Sequence, residues 1–243
     1  MASAATDSTD STDEVSLGLS GPASSGELRI MRVRPMRPTM GIAPFDDPAY
    51  LFEPWWPGIH AFVFVAGGRV RLQADALADP GPAFPELVEV AGLVQSDRAV
   101  LEATILVLDG RARPSVELLR RRLTGEWRGA AVSRPGRAAL VATDLLWLGG
   151  RSMARRPFGE RRGELAALLR PSPWCLPGRG FVGEGIAVAR ALGELGFHWV
   201  SAHRLDAPYH AGPAGDAWFR APIEEPAERT PPTFLAVARR LGL

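Results

Sequence analysis

The stretch 51-LFEPWWPGIHAFVF-64 decides how the rest of the chain is read. Pro54, Trp55, Trp56 and Pro57 stand side by side, followed by Gly58 and a strongly apolar run. A core strand avoids proline, because the ring removes a ladder N–H donor. A plain surface loop has no use for two adjacent indoles. The stretch therefore reads as a turn leading into a strand, with the turn lining something.

Working outward, strand and helix signals alternate. "IHAFVFVAGGRVRLQA" reads as a hairpin turning at Gly67-Gly68, since a Gly-Gly pair supplies the positive φ of a tight turn. Residues 84–94, "FPELVEVAGLV", have helical spacing, and "AVLEATILVLDG" is a strand closed by Asp109-Gly110. "RPSVELLRRRL" opens a helix with Pro114 and Ser115 near its start. "AALVATDLLWLGG" is a strand, "RPFGERRGELAALLR" a helix and residues 181–195 another helix. "FHWVSAHR" and "AWFRAP" are the last strands, and "TFLAVARRLGL" forms a final amphipathic helix. Hairpin turns between neighbouring strands point to α+β with antiparallel sheets, not a doubly wound parallel sheet.

Composition narrows the class. The 243 residues are 46% hydrophobic and 23% charged, as in soluble globular proteins, and contain no apolar run long enough for a bilayer. Residues 1–26 are low in complexity and read as a disordered tail, without the basic-then-apolar order of a secretory signal. Residues 27–40 form a proline-bearing lead-in arm. One cysteine, Cys175, excludes an internal disulfide framework, so the cytoplasm is the default location. A net charge of +1 excludes electrostatic nucleic-acid binding by the chain as a whole. Every basic residue is arginine and none is lysine, so no amine side chain is available as a nucleophile.

Several polar groups interrupt the strands or stand at their ends: Glu53, Glu102, Thr104, Asp144, His198, His203 and Arg220. His198 and His203 are five apart, on opposite faces of a regular strand, and so are poor partners for one metal ion. Asp144 lies in an apolar strand and needs a partner, either a structural arginine or a ligand. The arginine clusters in "LLRRRLTGEWR" and "RRPFGERR" read first as solvated helix faces and second as a nucleic-acid surface.

"PFDDPAYLFEP", "GGRVRLQ", "FPEL", "LVLDG", "LLRRRL", "DLLWLGGRS", "RPFGERR" and "RLDAPY…DAWFR" occur in this order. Together they resemble the adenylation (nucleotidyltransferase) domain of ATP-dependent DNA ligases, of the bacterial end-joining kind, over residues 41–222. The resemblance implies a ligase-type, ATP-grasp-like core of antiparallel sheets flanked by helices. It implies a family that uses ATP and Mg²⁺ in DNA repair and recombination. Residues 223–243 are then a short helical C-terminal segment. Only 21 residues follow Pro222, too few for the OB-fold that family ligases carry next, so that domain is expected to be absent.

The match fails where the family does its chemistry. The first motif, Glu-Pro-Lys-Trp-Asp-Gly-x-Arg, supplies the lysine that becomes lysyl-AMP. Here Trp55 stands for that lysine, Pro57 for the aspartate and His60 for the arginine, while Glu53, Trp56 and Gly58 match. An indole N–H is only a donor and cannot attack a phosphate. Ser-Arg-Asn-Gly becomes "ADAL" at 74–77, and Asp-Gly-Glu becomes "EAT", with Glu102 at its head and Thr104 for the carboxylate. Phe-Asp becomes Thr143-Asp144. Glu-Gly-Val-Val-Ala-Lys becomes "HWVSAH", with His198 for the glutamate and His203 for the lysine. In Trp-Leu-Lys-x-Lys, Trp218 matches, Arg220 keeps one charge and Pro222 ends the second.

The expectation is a degenerate adenylation domain, without a catalytic nucleophile and with no cofactor or metal held tightly. It would act as a scaffold beside DNA or an active ligase or repair protein. Two alternatives stand beside it: a remodelled histidine-based enzyme using His60 and His198, which face the pocket in the family, and a non-catalytic DNA-end module using the arginine helices. Partner and oligomeric state are not given by the sequence.

Overall fold

A computed structural model describes residues 33–75, 77–125, 136–224 and 233–240. The sequence-derived tail, residues 1–26, lies outside them. The larger sheet and its helices are built mainly from β2 Ile59–Ala66, β3 Arg69–Ala74, β4 Arg98–Leu108, α1 Val116–Thr124, β5 Arg137–Leu148 and α2 Phe158–Leu168, with short strands at Arg151–Ser152 and Cys175–Pro177 beside β5. The smaller sheet is built from β1 Asp47–Pro54, β6 Phe181–Gly183, β7 Trp199–Arg204 and β8 Trp218–Pro222, with α3 Gly185–Glu194 and α4 Phe234–Arg240 against it.

The larger sheet runs β3-β2-β4-β5 and is antiparallel along that path. Gly67 and Gly68 both take positive φ (54° and 72°), as a tight hairpin turn requires. Strand β4 shows why the sheet is amphipathic in two directions: Ala99, Leu101, Ala103, Ile105 and Val107 enter one buried cluster with Leu87, Leu119 and Leu165. The alternating Val100 and Leu106 face the other way, along with the polar Glu102 and Thr104. Helix α1 starts where Ser115 Oγ accepts the Leu118 N–H at 3.2 Å, and it stops at Gly125 in the left-handed region.

The smaller sheet runs β6-β1-β7-β8 and continues to a short strand at Thr39–Met40. Helix α3 packs on β1 and β7, burying Phe52, Val188, Leu192 and Val200, and Phe234 of α4 joins the same cluster, which also takes in Leu106 and Val141 of the larger sheet.

Three sequence expectations change. Residues 85–92 form a 3-10 helix, not an α-helix, with Pro85 at its first position. The region expected to be one helix from 181 to 195 begins with the edge strand β6 and turns helical at Gly185. Gly185 itself is crowded: a Cβ there would lie 2.6 Å from Phe52 Cδ1. The ladders are also not all antiparallel. Met36–Arg37 runs parallel to Gly212–Pro213, Thr39–Met40 to Phe219–Arg220, and Cys175–Pro177 to β5.

The lead-in arm is the part that matters most for the site. Val33 and Met36 are buried in one cluster with Phe62, Phe64, Leu146, Tyr209 and Trp218, between the two sheets. Backbone bonds tie the arm down: Gln73 exchanges two hydrogen bonds with the Val33 backbone, and the Tyr209 hydroxyl accepts the Met36 N–H at 2.9 Å.

Candidate functional site

Two strand faces supply the polar residues. In the larger sheet Glu102 stands opposite both Phe62 and Asp144, so all three share a face. In the smaller sheet Ser201 sits between Glu53 and Arg220, and His203 between Leu51 and Trp218. Helix α2 delivers two arginines into the space between them.

Those arginines determine what the site can do. Arg161 binds Asp144 with both arms of its fork, Nε to Oδ1 at 2.8 Å and Nη2 to Oδ2 at 2.7 Å. Its remaining Nη1 donates to the Arg156 and Ala207 carbonyls. Arg162 donates to Glu53 Oε2 at 2.6 Å and to the Thr143 carbonyl at 2.6 Å. Both are buried, 1% and 8% exposed, so the solvated face expected for this cluster fails for them, while Arg155 is exposed and Arg156 pairs with Glu160 at the surface. Arginine wins there because two buried carboxylates would otherwise lack partners. The other cluster divides. Arg120 and Arg121 lie on the surface and pair with Glu117, while Arg122 is buried against Glu86. Residues 126–128 of that cluster lie outside the described residues.

Burial pushes the Glu53 and Asp144 carboxyls up, against the pull of Arg162 and Arg161 respectively. His203 moves the other way: burial and the neighbouring Arg162 and Arg161 hold it well below the usual imidazole range, so it is neutral at pH 7. The Trp218 indole donates to Ser201 Oγ at 2.7 Å, leaving the Ser201 hydroxyl to donate to His203 Nε2 at 3.0 Å. Ser201, His203 and Glu53 do not make a nucleophile–base–acid relay. Glu53 Oε1 approaches the same Nε2, at 3.4 Å, whereas such a relay needs the two ring nitrogens.

Over this polar floor runs a column of rings. Phe158 stacks on His203 (centroids 4.5 Å apart), His203 on Trp218 (4.8 Å), and Trp218 on Trp55 (5.8 Å). The Arg220 guanidinium continues it, 4.4 Å from the Trp55 ring and 4.1 Å from that of Trp199. The cavity left beside Glu102, Asp144, His203 and Trp218 measures about 10 Å³. That is room for one water at most.

The sequence-derived positions therefore separate. Glu53, Glu102, Asp144, His203 and Trp218 come together around the arginines. His60 pairs with Glu102, and although burial opposes its charge, the carboxylate's charge and hydrogen bond raise its pKa. His60 borders neither that small cavity nor the larger one described next. His198 precedes β7 and, with Trp55 and Arg220, lines a second cavity of about 380 Å³. The two histidines expected to share a pocket are thus not brought together. Gly58 lies against β4: a Cβ there would collide with the Ile105 carbonyl and come within 2.6 Å of Thr104 Cγ2, so packing alone requires glycine. Among the described residues no three histidine, cysteine or acidic side chains are grouped to hold a metal ion. Burial pushes the Cys175 thiol up to about 12, so it is no nucleophile at neutral pH.

Arg161 and Arg162 were missed as site residues. The signal was available: Asp144 in an apolar strand demanded a cation, and "GERRGEL" places adjacent arginines one turn into an amphipathic helix.

No protein-family model matches the chain. DNA ligase C1 of Mycolicibacterium smegmatis is 30% identical over 175 residues, 70% of this chain and 50% of the ligase. A probable DNA ligase of Streptomyces avermitilis is 32% identical over 170 residues, 67% of this chain and 33% of the relative. The chain thus spans half or less of the length of these relatives. Among solved structures, the ligase domain of M. tuberculosis LigD superposes with a TM-score of 0.60 at 25% identity, covering 77% of this chain and 58% of that one. A mycobacterial DNA ligase D complexed with ATP and MES gives 0.58 at 26% identity, covering 78% and 60%. Sequence and fold agree: the chain's homologues are bacterial ATP-dependent DNA ligases, and its structural neighbours are the nucleotidyltransferase domains of such ligases.

Proposed function

We propose that this protein is a ligase-type adenylation domain that no longer forms lysyl-AMP and serves as a non-catalytic partner in DNA repair or recombination. The observation that carries this reading is the Trp55–Trp218 stack. An indole occupies the position where the family's nucleophile would stand, and the ring column packs it in place. Three further observations support it. The sequence holds no lysine. Arg161 and Arg162, buried beside the site, are spent on Asp144 and Glu53 instead of being open to phosphates. The space near Glu102, Asp144 and His203 does not fit a nucleotide triphosphate, and no step is derived through ATP or Mg²⁺.

A scaffold role calls for a surface. Phe181, Val182 and Ile186 are exposed together on the edge strand β6 and the start of α3. An apolar edge of this kind suits another protein, such as an active ligase, better than it suits DNA. Arg120 and Arg121 already pair with Glu117 on their own helix, and Arg156, just before α2, pairs with Glu160 and Glu164. This lowers the share left for DNA ends. No helix among the described residues is long and apolar enough to cross a membrane. Histidine-based chemistry has one favourable feature, the His60–Glu102 pair, but nothing that places it at a cavity.

Calorimetric titration with ATP, ADP and nicked DNA tests the reading. Heat-silent nucleotide titrations are expected. Micromolar, Mg²⁺-dependent ATP binding would overturn it.

A further inference from the structure

The second cavity shares no lining residue with the first. Its volume of about 380 Å³ falls in the range of small-molecule sites, about 300–1,000 Å³. Its walls are Trp55, Phe197, Trp199, Val116 and neighbouring apolar residues, and its polar groups are Arg220 and His198. Aromatic walls with very few polar groups are the usual make-up of a site that orients a flat apolar molecule.

Arg220 is what makes this more than a crevice. Its guanidinium is held between the Trp55 and Trp199 rings, so the fork is fixed before anything binds. Its Nε is buried with no hydrogen-bond partner. Among the described residues it has no acidic partner, unlike Arg161 and Arg162. The guanidinium as a whole is only half-buried, but its Nε donor is cut off from water and left unsatisfied, which costs stability. A bound carboxylate would meet both needs. One cation matches one negative charge, and its planar fork matches a carboxylate; a triphosphate would need several cations.

We infer that this cavity binds a small aromatic monocarboxylate, with the carboxylate on Arg220 and the ring between Phe197, Trp199 and Val116. The inference concerns carboxylate binding and does not rest on the loss of adenylyl transfer, although three positions of the ligase motifs, Trp55, His198 and Arg220, line the cavity.

The probe is 2-naphthoate, titrated into the full chain by calorimetry and by tryptophan fluorescence. Saturable one-to-one binding is expected, with quenching from Trp55 and Trp199. The neutral isostere 2-naphthamide should bind at least about tenfold more weakly, the loss of one charged hydrogen-bonded contact. Arg220→Gln should lose binding by a similar factor. Val116→Trp, at a rim position 61% exposed and therefore tolerant in folding, should block the cavity without touching the charge. Circular dichroism establishes that each variant is folded; if Arg220→Gln is not, the amide and Val116→Trp decide. Absence of saturable binding at millimolar probe, equal binding of amide and acid, or undiminished binding to Val116→Trp would overturn the inference. Covalent AMP labelling of the protein would count against the proposed function and leave this inference standing.

Discussion

Trp55 lies on Trp218 with ring centroids 5.8 Å apart and planes 29° from parallel. On the proposed reading one ring keeps a ligase motif residue and the other stands where the nucleophile would be; the two pack as a pair. The substitution is thus built into the core between the sheets. Restoring lysine alone should not restore chemistry. Trp55→Lys is expected to show no covalent AMP and to lose about 1–2 kcal/mol of stability through the lost stack and cation–π contact, read by urea unfolding.

The Asp144–Arg161 pair is buried and bidentate, so breaking it from one side strands a charge. Arg161→Met should cost about 3–5 kcal/mol. The double variant Arg161→Met/Asp144→Leu should recover much of that loss. Denaturation midpoints across the double-mutant cycle check it; additive losses would mean that the pair is not coupled.

His203 gives the pH dependence. Its folded pKa lies well below the unfolded value of about 6.5, through burial and the facing Arg162 and Arg161. Its contribution is therefore complete above about pH 6.5 and is lost as pH falls below that, because the unfolded chain takes up the proton first. His203→Phe, which keeps a ring between Phe158 and Trp218, should flatten the stability curve between about pH 6.5 and 5. His60 acts in the opposite sense: its raised pKa adds stability below about 6.5 that fades as pH rises through the folded value. Comparing thermal melts of His203→Phe and His60→Phe across this range separates the two.

The arm that plugs the space between the sheets hangs on Tyr209. Its hydroxyl accepts the Met36 N–H and donates to the Arg34 carbonyl at 3.2 Å. Tyr209→Phe should cost about 1–3 kcal/mol, since it orphans a buried donor. Protease cleavage near residues 33–40 should accelerate in the same variant.

Much of this molecule was legible in its sequence, for reasons that differ by element. The hairpin at Gly67-Gly68, the cap at Ser115 and the alternation in β4 are local effects, decided by backbone sterics and period. The edge strand at Phe181 was not legible. Its neighbours Val182 and Ile186 continue a helical-looking apolar pattern, and only pairing with β1 across the fold makes it a strand. The same holds for the site. Tryptophan at position 55, where the ligase resemblance leads one to expect lysine, is a reading of the sequence alone. That Arg161 and Arg162 would turn inward, that residues 33–36 would fill the cleft, and that His60 and His198 would part depended on contacts between residues distant in the chain.

The most direct test of the central claim is incubation of the purified protein with α-labelled ATP and Mg²⁺ or Mn²⁺, an active ligase adenylation domain run beside it. Label on the active domain and none on this protein is expected after denaturing electrophoresis. Stoichiometric, acid-labile AMP bound to this chain would contradict it.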